Sequence, residues 1–234
     1  MSESPLITAI VPTLNEELFI ESCLEHLRNA GVDELIVVDG GSGDRTRELA
    51  RVKADRVLVE PGGVFQQMNR GAREACGEIL IFQYADGHLG ERACSEVRRT
   101  LEVPAIDGGA FRLSLDRPGF FYGAVSLCAG WRNRLGFGPF GDQSIFVRAE
   151  AFRREGGFPQ DGALPDHELV RALHRGGGFK LLREPVVVSA RRWERSGKWQ
   201  TLLRHWWYSA LYLVGWRRGR RAVVRGTELL RKVR

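Results

Sequence analysis

Four short apolar runs alternate with helical stretches in the first 86 residues, and this alternation restricts the fold more than any other feature. LITAIV (Leu6–Val11), ELIVVDGGS (Glu34–Ser42), RVLVE (Arg56–Glu60) and EILIFQYAD (Glu78–Asp86) read as strands. Between them EELFIESCLEHLRNA, DRTRELARV and VFQQMNRGAREA read as helices, the first closed by Gly31 as its C-terminal cap. Unbroken apolar runs suit strands buried on both faces. Strand–helix–strand units at this spacing build a mostly parallel α/β sheet of Rossmann-like type, with helices on both faces.

Such a sheet binds ligands beyond the carboxyl ends of its strands. Those ends carry PTLNEE (Pro12–Glu17), Asp39, Glu60 and Asp86, so polar and acidic side chains collect along one edge. The G-x-G-x-x-G fingerprint is missing after the first strand, which disfavours a nicotinamide or flavin dehydrogenase. Asp86 is a lone carboxylate at the end of a core strand, followed at once by Gly87. It reads either as a turn former or as the holder of a cation. Asp39 before Gly40-Gly41 has the same two readings. Glu16 reads as an acid in the first turn of a helix or as a ligand contact. Asp166 reads as an ordinary N-cap or as a reactive carboxylate. Asn69 lies within a helix. His88 and His167, beside candidate acids, read as solvated surface histidines.

The second half is less regular. GGAFRLSL (Gly108–Leu115), GDQSIFVR (Gly141–Arg148) and VVVSA (Val186–Ala190) read as strands, and DHELVRALHRGGG as a helix stopped by glycine. FYGAVSLCAGWRNRL reads as a helix or a mobile segment. Glycine-rich sequence of mixed strand direction suits the part of a domain that shapes an acceptor pocket. We divide the chain into a domain over 1–195, in two halves (1–106 and 107–195), and a basic amphipathic helical tail over 196–234.

The charge is uneven. Residues 191–234 hold 13 Lys/Arg and two Glu, while the rest of the chain is net acidic. Within the tail, Trp199, Leu202, Leu203, Trp206, Trp207, Ala210, Leu211 and Val214 follow helical spacing, with arginines from Arg217 onward. This pattern suits contact with a membrane surface, packing on the body, or self-association. Nucleic acid is disfavoured, because few basic residues interleave the aromatic face. The N-terminus has no basic start followed by an apolar run, so no secretory leader is expected, and no run approaches the ~20 apolar residues a membrane span requires. The four cysteines form no C-x-x-C pair and read as packing residues with free thiols. The expected location is cytoplasmic, with the tail as the means of peripheral contact with the inner face of the membrane.

VPTLNEE, IVVDGGSGDRT, a strand ending in Asp86, and GDQSIFVRAEAFRREGGFP followed by an acid before a helix together resemble the family 2 glycosyltransferases of GT-A fold. The resemblance covers roughly residues 6–190. QQMNRGA, GDQSIFVR and SARRWERSGKW look closest to a small bacterial subgroup associated with arsenosugar-type biosynthesis.

The resemblance implies inverting transfer of a sugar from a nucleoside-diphosphate-sugar donor, with a UDP-sugar taken first, to a small-molecule or lipid acceptor hydroxyl. It implies donor contacts at Pro12, Thr13, Asn15, Glu16 and Asp39, with Asn69 added from the QQMNRGA segment. It implies a Mg²⁺ or Mn²⁺ site at Asp86, where the family's D-x-D reads Tyr84-Ala85-Asp86, and a catalytic base at Asp166, where the acidic pair reads Pro165-Asp166. Val64 and Gln66 stand where the subgroup carries arginines before QMN. Arg191 and Arg192 are the cations that could serve the donor phosphates instead, because guanidinium forks match phosphate oxygens. Asp142 and Gln143, behind Gly141, are candidates to hold sugar or acceptor hydroxyls. Two other readings stay open: a degenerate member that binds nucleotide or membrane without catalysis, and a nucleotidyltransferase.

Overall fold

A computed structural model describes residues 4–133, 139, 141–160, 164–191 and 194. Its strands are β1 (Ile7–Thr13), β2 (Glu34–Asp39), β3 (Arg56–Val59), β4 (Ile79–Phe82), β5 (Gly87–Leu89), β6 (Ile106–Leu115), β7 (Ile145–Arg148) and β8 (Gly178–Val188). Its helices are α1 (Ile20–Asn29), α2 (Thr46–Lys53), α3 (Val64–Glu74), α4 (Ala93–Leu101), α5 (Phe120–Arg132), α6 (Ala149–Arg154) and α7 (Pro165–Gly176). The strands form one sheet in the order β3-β2-β1-β4-β7-β6-β8-β5. β1, β2, β3 and β4 run parallel, while β7 runs against both β4 and β6.

The unbroken apolar runs are explained by burial on both faces. Ile7, Ala9, Val11, Leu35, Val37, Ile79 and Ile81 pack in one core cluster with Leu24 and Leu27 of α1 and Val97 of α4. Their alternates Ile10, Ile36, Val38, Leu80 and Phe82 pack in a second cluster with Met68 of α3, Phe152 of α6 and Leu169 of α7. The period-2 alternation therefore sends each run into two cores at once. Gly31 follows α1 with φ +89°, and Val32 N–H reaches back to the Leu27 carbonyl at 3.2 Å, the closed helix end expected there.

Several boundaries differ from the sequence reading. GDQSIFVR is not a strand throughout: Gly141–Gln143 forms a 3-10 turn, and β7 starts at Ile145. The turn is set by Ser144, whose φ of +47° breaks the extended backbone and whose hydroxyl donates to Gln83 Oε1. β8 begins eight residues before VVVSA, because it pairs along β6 through two register shifts. β4 stops at Phe82, so Asp86 lies beyond it on a turn closed by Gly87 N–H to the Tyr84 carbonyl. α1 starts at Ile20, so Glu16 precedes the helix rather than lying in its first turn. β5, α4 and α6 had no counterpart in the sequence reading. FYGAVSLCAGWRNRL is helical over α5.

Asn69 is a clamp. Its amide donates to the Phe158 carbonyl at 2.8 Å and its Oδ1 accepts from Phe158 N–H at 2.9 Å. Gly156 and Gly157 before it have φ of +79° and +75°, and a Cβ at Gly157 would meet Asn69 Oδ1 at 2.7 Å. The Asn69→Ala substitution leaves the Phe158 N–H unpaired and its carbonyl held only by Gln160 Nε2, at 3.1 Å. It is expected to lower unfolding free energy by about 2 kcal/mol in urea titration with the m-value unchanged. An unchanged midpoint would show that the clamp contributes nothing.

Candidate functional site

Parallel β1, β2 and β4 deliver their carboxyl ends to one edge, and antiparallel β7 brings its start to the same edge, with Phe82 opposite Ile145. The mouth is thus lined by residues 12–16, 39–42, 83–86 and 141–144. It is joined by residues 189–191 after β8, where Ser189 N–H bonds to the Asp86 carbonyl at 2.9 Å and Ala190 N–H to Asp116 Oδ1 at 2.9 Å.

At the β1–β2 side, Asp39 is fully buried. Its Oδ2 accepts from Gly41 and Ser42 N–H, both at 2.9 Å, and its Oδ1 takes the Ser42 hydroxyl, with Thr13 Oγ1 3.5 Å away. Arg47 lies 3.7 Å off. Asp39 therefore holds the turn that follows β2. Asn15, at φ +55°, joins this turn from the other side: its N–H donates to Ser42 Oγ and its Oδ1 accepts from Gly43 N–H, both at 2.9 Å. Pro12 and Thr13 are buried in β1 beneath the turn. Asn69 lies on α3 with its amide engaged by Phe158. Val64 packs against the second core cluster, and Gln66 folds back so that its Oε1 accepts from Gly63 N–H at 2.9 Å, so neither places a cation at the mouth.

The charged centre of the mouth is Asp86, Glu16 and Arg191. One terminal nitrogen of Arg191, Nη2, donates to both Glu16 oxygens, at 2.7 and 2.6 Å, and lies 3.4 Å from Asp86 Oδ2. Its guanidinium sits 4.1 Å from the centre of the Phe19 ring. Beneath them Cys23 is fully buried, and burial first, then Asp86 and Glu16, push its thiol far above the usual range. Two carboxylates thus converge on one cation. Mg²⁺ and Mn²⁺ are hard ions that accept one or two carboxylates together with substrate phosphates. Asp86 and Glu16 fit that requirement, with the guanidinium as stand-in. Among the described residues no group of three or more His, Cys, Asp or Glu forms a complete metal cage, so phosphate oxygens would have to finish the coordination.

Across the β4–β7 seam lies the second pair of carboxylates. Asp166 stands in the first turn of α7, after Pro165, and is buried. Its Oδ2 accepts from Gly141 N–H at 2.8 Å and its Oδ1 from His167 N–H at 2.9 Å. Burial pushes its carboxyl above the ordinary carboxylate value. The two backbone bonds oppose this, and the charge of Asp142 adds to it. Asp142 keeps a buried Oδ1 with no hydrogen-bond partner among the described residues. Gln143 is buried and donates to the Phe111 carbonyl at 2.9 Å. Tyr84, in place of the first acid of the D-x-D pattern, packs on Gly141: a Cβ there would meet Tyr84 Oη at 3.0 Å.

The two histidines are not solvated surface groups. His167 is buried. His88 is half-buried, with its Nδ1 3.1 Å from His26 Nδ1, which also faces the Ser22 carbonyl at 2.7 Å. A carbonyl only accepts, so His26 Nδ1 carries the hydrogen that meets Ser22. Burial, then His26, lower the His88 pKa.

Arg191, seen in the sequence only as a cation for phosphate, pairs instead with Glu16, 175 positions away. Ser42 and Asp116, which hold the turns on either side, were not singled out in the sequence. The SGD run after Asp39 was the available signal for Ser42. Arg192 and the amphipathic stretch 197–216 lie outside the described residues. Among the described residues no helix is long and apolar enough to cross a membrane.

Residues 8–112 match the model of glycosyl transferase family 2. A PGL/p-HBAD biosynthesis glycosyltransferase of Mycobacterium bovis is 36% identical over 97 residues, which is 38% of this chain and 38% of that protein. The chain thus spans well under half the length of that curated relative. The mannosyltransferase PcManGT from Pyrobaculum calidifontis, solved in complex with GDP-Man and Mn²⁺, superimposes with a TM-score of 0.63 at 22% identity, over 80% of this chain and 57% of that one. Glucosyl-3-phosphoglycerate synthase from Mycobacterium tuberculosis, solved with Mn²⁺, UDP and glucosyl-3-phosphoglycerate, gives 0.59 at 22% identity, over 77% and 70%. Residues 8–112 are thus similar to glycosyl transferase family 2, and the chain shares the GT-A fold of these solved structures.

Proposed function

We propose that the protein is an inverting glycosyltransferase that moves a sugar from a nucleoside-diphosphate donor to an acceptor hydroxyl. The observation that carries this reading is the placement of two carboxylate pairs at one mouth. Asp86 and Glu16 lie at the end of β4 and before α1, and Asp142 and Asp166 lie across the adjoining β7. The first pair faces a cation. The second holds an oxygen with no hydrogen-bond partner among the described residues, beside a carboxyl with raised proton affinity.

The nucleoside rests over the turn held by Asp39, Asn15 and Ser42, above Thr13 and Pro12. Asp86 and Glu16 would hold Mg²⁺ or Mn²⁺. When bound, that ion supplies counter-charge to the leaving diphosphate. The acceptor hydroxyl donates its hydrogen bond to Asp166, and Asp142, on the turn that Gln143 fixes, accepts from a neighbouring hydroxyl of the sugar or acceptor. Asp166 takes the proton as the hydroxyl oxygen attacks, and its raised pKa makes it a stronger base than a solvated aspartate. Direct attack on the face opposite the leaving group inverts the anomeric centre.

Incubation with a panel of UDP- and GDP-sugars, Mn²⁺ and candidate acceptors tests this. Release of nucleoside diphosphate with formation of an inverted glycoside is the expected result. Release of pyrophosphate would identify a nucleotidyltransferase, and nucleotide binding without turnover a binding protein.

A further inference from the structure

We infer that Arg191 is an internal competitor for the metal position, and that it makes metal and donor binding depend on each other. This rests on the glycosyltransferase reading above, which places a divalent ion on Asp86 and Glu16. Arg191 already fills that role for both carboxylates: its Nη2 donates to both oxygens of Glu16 and lies 3.4 Å from Asp86 Oδ2. A divalent ion and the guanidinium cannot share the same oxygens at these distances, because two cations in contact repel while each seeks the same lone pairs.

The competitor is held in place by more than charge. Its guanidinium lies on the Phe19 ring at 4.1 Å, and the backbone that carries it is pinned at Ser189 to the Asp86 carbonyl and at Ala190 to Asp116. A metal ion arriving alone must displace the guanidinium and leaves it with no anionic partner from this pair. A donor changes that balance. Its diphosphate offers the displaced guanidinium two oxygens on one tetrahedral phosphorus, which the planar fork can meet with two parallel N–H bonds. The metal then takes the carboxylates, Arg191 takes phosphate oxygens, and each charge is paired. Metal and donor thereby bind cooperatively, and by linkage each raises the affinity of the other by the same factor.

The test is Mn²⁺ titration by isothermal calorimetry and by electron paramagnetic resonance of free Mn²⁺, on the full chain with and without UDP, the nucleotide used as probe. In Arg191→Gln, Mn²⁺ alone is expected to bind on the order of tenfold more tightly than in the parent, while UDP strengthens Mn²⁺ binding less than it does in the parent. Arg191→Lys keeps the charge but loses the fork and should fall between the two. Thermal melting shows that each variant is folded, and the Lys variant supplies the measurement if the Gln variant is not. Mn²⁺ affinity that is unchanged or weaker in Arg191→Gln, with Asp86→Asn still abolishing Mn²⁺ binding, overturns the competition and leaves the metal position standing. Mn²⁺ binding that survives Asp86→Asn removes the metal position itself, and the competition with it.

Discussion

Replacing Asp86 by Asn is expected to abolish Mn²⁺-dependent nucleotide binding and to lower sugar transfer by about 10³-fold. The carboxylate is nearly buried, its main chain is pinned by Ser189 N–H, and its Oδ2 faces the guanidinium of Arg191. Asn keeps the shape and removes the charge. Arg191 retains both oxygens of Glu16, so the variant should melt close to the parent temperature. The loss is therefore one of counter-charge for the departing diphosphate and not of fold. Calorimetric titration of UDP with and without Mn²⁺, set beside the rate of diphosphate release, measures both effects. Unaltered metal-dependent binding in this variant would mean that the cation site lies elsewhere.

The Asp166→Asn variant should lose about 10²- to 10⁴-fold in kcat, while nucleotide and metal affinities stay as they were. The pH dependence separates a base from a merely structural group. Burial raises the Asp166 carboxyl, so in the parent the acid limb of kcat/KM should rise at a pH above the ordinary aspartate value, and the residual activity of the variant should lack that limb. The sign for stability runs the other way. A carboxyl whose folded pKa is raised holds a proton that the unfolded chain has already released. Between the unfolded and folded values, stability therefore falls as pH rises. Replacement by Asn removes that slope, which urea unfolding across the acid range would detect. Loss of activity with an unshifted acid limb would assign Asp166 to positioning Gly141 alone.

Much of this molecule was legible in its sequence. β1 to β4 and the helices between them follow from apolar runs long enough to be buried on two faces, and Gly31 marked its helix end. The ligand edge followed from parallel direction alone. The parts that were missed share a cause: they depend on partners far along the chain. The turn at Gly141–Gln143 exists because Ser144 bonds to Gln83, and nothing within GDQSIFVR announces that partner. The added length of β8 comes from pairing with β6 across register shifts. Asn69 looked like a helix residue near a ligand motif, yet its amide serves Phe158, 89 positions later. Glu16 looked like a helix-dipole acid, and its true partner is Arg191. Short-range pattern identifies elements and polar strand ends. It carries no information on which polar ends meet.

The reversal of β7 against β4 has a further consequence. Asp86 follows one of these strands and Asp142 precedes the other, and main-chain pairing from Phe82–Ile145 to Ile79–Arg148 holds the strands together. The spacing between Asp86 and Asp142 therefore rests on the peptide ladder. Residues 117–132 can be exchanged while that ladder, and the bond from Ala190 to Asp116, stay in place. On the function proposed above, choice of acceptor is then a separable trait, open to grafting, on a frame that stays constant.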